Sequence, residues 1–161
     1  MTPELVVPRV CLPRELAASP VFLLGRLGTE LKKRALDELE AAGFGIHDYK
    51  VLALLGEGEC TAQSTMAELI SVDRSQLVGL LDDLEERGLV ERHRAKDDRR
   101  RHTVTLTGAG REQLTQLRKI VKRVEEEFLA PLDVESRRQL HELLARLASY
   151  HDARFAAPAA A

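Results

Sequence analysis

Apolar residues recur at every third or fourth position along much of this chain, which predicts a mainly helical protein. The first long helix is expected to begin at Ser19-Pro20, because serine is a favoured N-cap and proline fits the first helical position. It is expected to end at Gly43, since glycine commonly follows a helix C-terminus. A second, shorter helix is expected from about Ile46 to Leu55. The apolar stripe of the first helix consists of Leu24, Leu27, Leu31, Ala35 and Leu39.

Two short helices separated by a tight turn are predicted near the middle of the chain. The first surrounds Met66 and stops before Ser71. Asp73 then precedes the second helix and Gln76 follows three residues later, which is the arrangement of a capping box. This second helix is expected to end at Gly88. Two short helices joined in this way are typical of a helix-turn-helix.

After Gly88 the apolar period changes from 3.6 to 2, which indicates β-strands. Two strand-like segments, residues 89–93 and 103–106, flank a basic segment and predict a β-hairpin with that segment at its tip. A long helix then starts at Thr107, and a last helix follows Pro131, both with apolar residues at heptad spacing. The predicted fold class is mainly α with a small β-hairpin (α+β).

Composition agrees with a helical fold and narrows the class of protein. The chain has 161 residues, enough for one domain or one compact fold of two small lobes. With four Phe, two Tyr and no Trp, leucine and alanine must fill the core, which favours helices over a β-sandwich. No apolar segment approaches the roughly 20 residues that cross a bilayer, and the start of the chain lacks a signal-peptide pattern. A cytoplasmic protein with no membrane partner is expected.

The charge is distributed unevenly. The whole chain has a net charge of −2, yet the segment from Arg92 to His102 contains six basic and two acidic residues. A single short basic projection on an otherwise acidic protein indicates contact with a polyanion at one place.

These motifs together resemble the MarR family of bacterial winged-helix regulators. Flanking helices of suitable length extend the resemblance to about residues 20–152. It implies an obligate homodimer with intertwined terminal helices, which binds a pseudo-palindromic operator through two recognition helices and two wings and is often released by a small ligand. The matching stretches are residues 66–70, 73–78, 84–92, 98–100 and 104–107.

The predicted organisation has a winged helix-turn-helix lobe at residues 46–107 and dimerisation helices at 19–45 and 108–155. An N-terminal arm at 1–18 and a disordered tail at 156–161 complete the chain. The heptad stripes fit either core packing within one chain or a dimer interface. A lobe of about 60 residues does not cover three more long amphipathic helices, so a dimer is favoured. The expected interface residues are Leu24, Leu27, Leu117, Val121, Val124, Leu140, Leu143 and Leu147.

Base contacts are expected from the start of the helix after Asp73. Glutamine bonds adenine through two atoms, which is worth about 1–3 kcal/mol of discrimination, and valine fits a thymine methyl group. Gly79 and Asp83 depart from the family pattern, because contacting or basic residues are common there. The candidate recognition residues are Arg74, Ser75, Gln76 and Val78.

The basic hairpin is expected to supply the other DNA contacts. By the resemblance, Arg100 enters a minor groove and Asp98 pairs with its guanidinium and orients it. Narrow minor grooves concentrate negative potential, which favours an inserted arginine. The remaining basic side chains of the segment are expected to contact phosphates. Such contacts fix the register of the protein on the duplex without reading the base sequence. These basic residues are Arg92, Arg94, Lys96, Arg99 and Arg101.

Catalytic and metal chemistry are not expected. The histidines lack His-x-x-x-His spacing, there is no Cys-x-x-Cys, and no phosphate-binding loop or Gly-x-Ser-x-Gly motif is present. We therefore expect no enzyme activity, cofactor or metal. Cys11 and Cys60 are too few for a disulfide scaffold, which favours a reduced compartment. An inert role is favoured for both thiols, because reactive cysteines usually have basic side chains nearby. The only basic residues near either cysteine in the sequence flank Cys11.

The sequence thus predicts a homodimeric repressor that binds double-stranded DNA and responds to a small-molecule effector. Two alternatives stay open. One is a thiol-based redox regulator of the same fold that senses oxidants through Cys11 or Cys60. The other is a winged-helix module that binds proteins instead of DNA and has no need of a basic hairpin.

Overall fold

A computed structural model describes residues 12–58, 63–94 and 102–155. This part of the chain forms α-helices, one two-stranded antiparallel sheet and a final 3₁₀ turn, which confirms the predicted fold class. The elements are α1 (Arg14–Ala17), α2 (Pro20–Ala41), α3 (Ile46–Gly56), α4 (Gln63–Ile70), α5 (Arg74–Glu86), β1 (Val90–Arg94), β2 (His102–Leu106), α6 (Gly108–Phe128), α7 (Val134–His151) and the turn Ala153–Phe155.

Side-chain caps fix four of the helix starts. Ser19, Asp73, Thr107 and Asp133 each accept a hydrogen bond from the backbone N–H three residues later, at 3.3, 2.8, 2.9 and 2.8 Å. Caps of this kind contribute about 0.5–2 kcal/mol each. The starts predicted for α2, α5, α6 and α7 are therefore confirmed.

The turn between α4 and α5 uses an unusual backbone conformation. Ser71 has φ of 60°, and among the described residues it is the one non-glycine residue with a positive φ. Its N–H donates to the carbonyl of Glu68, and the N–H of Val72 donates to that of Ala67. An L-residue in this region costs roughly 1–2 kcal/mol. The turn is thus held by the hydrogen bonds that close the end of α4.

The hydrophobic core lies in the part of the chain from α3 to α6. Helices α3, α4 and α5 pack on one another, α3 and α5 contact the hairpin, α3 also contacts α6, and the end of α2 adds Leu39. The hairpin contributes its inward-facing residues Val90, Val104 and Leu106. The core therefore holds α5 and β1 on one body. Its largest fully buried side chains include Leu52, Met66, Leu77, Leu81, Leu84 and Leu117.

Helices α2 and α7 leave much of their apolar surface uncovered. No residue of α7 is buried, and Leu39 is the buried residue of α2. None of the described helices is long and apolar enough to cross a membrane. The exposed leucines include Leu24 (51%), Leu27 (51%), Leu143 (56%) and Leu147 (53%).

Two residues predicted for the dimer interface are buried within the single chain. Leu117 is fully buried and Val124 is 5% exposed within the single chain. Helix α6 packs along α2 and α3, so these side chains are covered by their own chain. Little of their surface is left for a second copy, and their place at a dimer interface stays a prediction. Val121 and Leu140 are half-buried.

The entry to α6 is fixed against the start of β1. The Thr107 hydroxyl donates to the carbonyl oxygens of Gly88 at 2.7 Å and Leu89 at 3.2 Å, and the Thr107 N–H donates to the same Leu89 oxygen at 3.1 Å. A Cβ atom built on Gly110 would lie 1.9 Å from that oxygen. The segment from Leu106 to Gly110 therefore makes a close backbone contact that joins the hairpin to α6.

Candidate nucleic-acid interface

Helix α5 presents one face to the core and the other to the surface. Leu77, Leu81 and Leu84 are buried, whereas the four candidate recognition residues are all exposed. Because α5 begins at Arg74, those four lie in its first two turns. This is the end that recognition helices point at base edges. Base contact by these side chains stays a prediction.

Two of these residues also build the cap of α5. The Ser75 hydroxyl donates to the Asp73 carboxylate at 2.6 Å, and the Gln76 Oε1 accepts from the Asp73 N–H at 3.2 Å. The hydrogen bonds from the Ser75 hydroxyl and then the Gln76 N–H lower the pKa of Asp73 below its usual value. A bidentate contact with adenine uses both the Oε1 and Nε2 atoms of Gln76. Oε1 has two lone pairs, one of which accepts from the Asp73 N–H, so the capping bond restricts the direction in which Gln76 reaches adenine.

Gly79 lies on the exposed side of α5, in the interior of the helix. A Cβ atom built there meets nothing within 4 Å. Glycine in a helix interior costs about 0.5–1 kcal/mol relative to alanine. The open space shows that packing within the chain does not require glycine at this position.

We expect Gly79→Ala to raise the free energy of unfolding by about 0.5–1 kcal/mol, measured by urea denaturation followed by circular dichroism. The same variant tests how close the helix comes to DNA. If the backbone at Gly79 touches the duplex, the added methyl group weakens DNA binding although the protein is more stable. Unchanged or lower stability would contradict a helical, open environment at this position.

The side chain of Arg92, which was predicted to contact phosphate, is partly buried and paired with carboxylates of α5. Its side chain is 23% exposed, with Nη2 2.6 Å from a carboxylate oxygen of Asp82 and Nη1 2.7 Å from Glu85. The Arg92 N–H also donates to Glu85 at 3.2 Å. The structure thus gives this guanidinium two partners within the chain.

Arg87 holds the other end of the same helix surface. Its guanidinium carbon lies 3.9 Å from the centre of the Phe44 ring, and Nη2 donates to the Gly43 carbonyl at 3.2 Å. Nη1 lies 3.5 Å from the Asp83 carboxylate. The end of α5 is therefore fastened to the turn between α2 and α3. The sequence analysis missed this residue, because its partner ring lies more than forty positions earlier in the chain.

The hairpin emerges directly after α5. Its strands pair in antiparallel register from Val90 opposite Leu106 to Arg94 opposite His102. Residues 95–101 lie outside the described residues, as do the side chain of Arg94 and both cysteines. The roles predicted for Lys96, Asp98, Arg99, Arg100, Arg101, Cys11 and Cys60 therefore stay predictions, as does the redox alternative.

Comparison with known sequences gives a consistent family. The MarR family profile matches residues 46–102, from the start of α3 to the start of β2. A transcriptional regulatory protein named for the hcr operon of Thauera aromatica is 34% identical over 99 residues, 62% of this chain and 60% of that protein. The HTH-type transcriptional regulator YdgJ of Bacillus subtilis is 34% identical over 98 residues, 61% of this chain. The match spans 60% of the length of both curated relatives, each of which is named as a transcriptional regulator.

Solved structures extend the similarity to most of the chain. CouR from Rhodococcus jostii RHA1, bound to p-coumaroyl-CoA, is 30% identical, with 83% of this chain and 94% of CouR covered and a TM-score of 0.68. The Mycobacterium tuberculosis MarR family protein Rv2887, in complex with p-aminosalicylic acid, is 25% identical, with 82% and 100% covered and a TM-score of 0.68. From its profile, relatives and fold, this chain belongs to the MarR family of transcriptional regulators.

Proposed function

We propose that this protein is a homodimeric repressor that binds a pseudo-palindromic operator in double-stranded DNA. The observation that carries the proposal is the arrangement of α5 and the hairpin. The first turns of α5 expose Arg74, Ser75 and Val78, and β1 begins in the same lobe after a connection of three residues. A helix and an adjacent basic hairpin on one rigid core match the two neighbouring grooves of a duplex.

The division of labour between helix and hairpin follows from groove chemistry. The major groove presents a distinct pattern of donors and acceptors for each base pair, so Ser75, Gln76 and Val78 read sequence there. Arg100, oriented by Asp98, enters the minor groove, where it responds to the width of the groove. The other basic side chains of the hairpin tip, including Lys96, contact phosphates and fix the register of the protein on the duplex.

A second copy of the chain accounts for the uncovered leucines of α2 and α7. Leu24, Leu27, Leu143 and Leu147 are each more than half exposed. Full burial of a leucine side chain is worth about 1.5–3 kcal/mol, so leaving this surface in water is costly. A two-fold dimer covers it and presents two α5 helices about 34–36 Å apart, which is one turn of DNA.

Control by a small molecule is part of the proposal. Two similar proteins carry such ligands in their structures, p-coumaroyl-CoA in CouR and p-aminosalicylic acid in Rv2887. In this chain a mostly apolar cavity of about 330 Å³ lies beside α5. A ligand there would cover part of the surface that faces DNA and lower the affinity. The cavity is lined by His47, Val72, Gln76, Gly79, Leu80 and Asp83.

The proposal is tested by selecting fragments of the source genome with the purified full-length protein. A labelled duplex carrying the selected sequence is then titrated by fluorescence anisotropy, beside a duplex of the same composition in shuffled order. We expect preference for the selected duplex and a steep loss of affinity between about 50 and about 200 mM salt, because phosphate contacts release counterions. Equal binding of both duplexes, or a flat salt profile, would overturn the proposal.

Replacing Arg100 by alanine should weaken binding to the selected duplex about tenfold, because one charged groove contact is lost. Dimerisation and the melting temperature should stay unchanged, since the substitution lies in the hairpin tip. Lys122→Ala, at an exposed position of α6, is the matched control and should bind like the parent. Parental affinity of Arg100→Ala would reject the role given to this arginine.

A further inference from the structure

Arg92 joins the recognition helix to the hairpin. It is the middle residue of β1, and its guanidinium bridges Asp82 and Glu85 on α5, at 2.6 and 2.7 Å. The two carboxylates are three residues apart and therefore lie on the same face of the helix. Glu85 also accepts the backbone N–H of Arg92, so the main chain of the strand is held as well as the side chain.

This contact spans the short connection between α5 and β1. Helix α5 ends at Glu86 and β1 begins at Val90, and Gly88 between them has φ of 70°. The N–H groups of Gly88 and Leu89 donate to the carbonyls of Glu85 and Leu84, which closes the end of α5, and the core holds the start of β1. Arg92 adds a restraint on the angle between helix and strand halfway along β1, nearer the hairpin tip.

We propose that Arg92 is a positioning residue for DNA binding, and not a phosphate contact. It holds α5 and the hairpin at the angle at which both reach their grooves together. The inference rests on the proposed function, because the angle matters only if helix and hairpin bind one duplex.

Arg92 also favours DNA binding by neutralising acidic side chains of α5. The last two turns of this helix contain four carboxylates, an unfavourable set for a helix that approaches phosphates. Arg92 pairs with two of them, and Arg87 lies 3.5 Å from Asp83. The internal ion pairs reduce the repulsion between α5 and DNA.

Replacing the guanidinium of Arg92 by another cation distinguishes a positioning role from a phosphate contact. A planar guanidinium binds two carboxylates at once, whereas a lysine ammonium is a point charge that still binds phosphate well. Arg92→Lys keeps the charge and loses the bridge. We expect Arg92→Lys and Arg92→Gln to bind the selected duplex about tenfold more weakly than the parent, with the same dependence of affinity on salt.

Neighbouring carboxylates provide a matched pair of variants. Glu85→Gln and Glu86→Gln remove the same charge from α5, but Glu86 is exposed and is not a partner of Arg87 or Arg92. We expect Glu85→Gln to bind DNA about fivefold more weakly than the parent and Glu86→Gln to bind equally or more tightly. The double variant Arg92→Gln/Glu85→Gln should bind no more weakly than Arg92→Gln, because the shared contact is already lost.

All affinities are measured by anisotropy on the full chain, after melting curves and stoichiometric titration have given the folded, active fraction of each variant. Parental affinity of Arg92→Lys, tighter binding by Glu85→Gln, or a salt slope reduced by about 0.9 in Arg92→Gln would identify a phosphate contact and overturn the inference. The inference is also overturned if the loss of DNA affinity in the Arg92 variants disappears after correction for the active fraction. Failure of the parent to prefer the selected duplex is a different result, which overturns the proposed function.

Discussion

Gly110→Ala should lower the free energy of unfolding by about 3 kcal/mol, at the upper end of what overpacking costs. The methyl carbon would lie 1.9 Å from the carbonyl oxygen of Leu89. That oxygen belongs to the backbone at the start of the hairpin and also accepts from Thr107, so it does not move aside without breaking the contact. Either α6 or β1 must shift.

Urea denaturation measures the loss, and thermal melting should fall by roughly 6–12 °C for a chain of this size. Gly108→Ala is the matched control, because it lies two residues earlier in the same helix and its Cβ position has nothing within 4 Å. The control should be as stable as the parent or slightly more so. Equal stability of Gly110→Ala and Gly108→Ala would show that α6 does not approach Leu89 in solution.

The double variant Leu143→Glu/Leu147→Glu should turn the proposed dimer into a monomer. Both leucines are more than half exposed on α7. Because about half of each side chain is already covered, each loses about 0.8–1.5 kcal/mol of further apolar burial in the dimer, in both copies, and places a charge there instead. We expect the dimer dissociation constant to rise more than about 10³-fold, measured by sedimentation equilibrium.

His141→Glu/Ala145→Glu is the control for this experiment, since it has the same spacing on α7 and lies off the leucine stripe. It should remain a dimer. The monomeric variant should also lose most of its affinity for the selected duplex, because the two half-sites are no longer bound together. A parent that sediments as a monomer would contradict the proposed assembly.

Local features of the fold were predictable from the sequence, because their causes act over a few residues. The capping box of Asp73 and Gln76 is a contact between neighbours, and the hairpin follows from the change of apolar period after Gly88. The exposed face of α5 follows from the spacing of its leucines.

Contacts distant in the sequence were not predictable in the same way. A heptad stripe looks the same whether its partner is another helix of the chain or a second copy, so the spacing did not show that Leu117 and Val124 are covered within the chain. Arg92 was predicted to contact phosphate because it lies in a basic segment. Charge alone does not show which arginines have carboxylates of the same chain within reach. The stacking of Arg87 on Phe44 left no pattern in the sequence at all.

The capping box of α5 limits how strongly this protein discriminates adenine through Gln76. A bidentate glutamine–adenine contact yields about 1–3 kcal/mol, but the capping bond to the Asp73 N–H restricts the direction of the Gln76 side chain. Where that bond is given up, the loss is about 0.5–1.5 kcal/mol, and Asp73 keeps its own bond to the Gln76 N–H. The net preference at that base pair is the difference between the two. Operators recognised by this protein should therefore tolerate substitution at that position more readily than a free glutamine would allow.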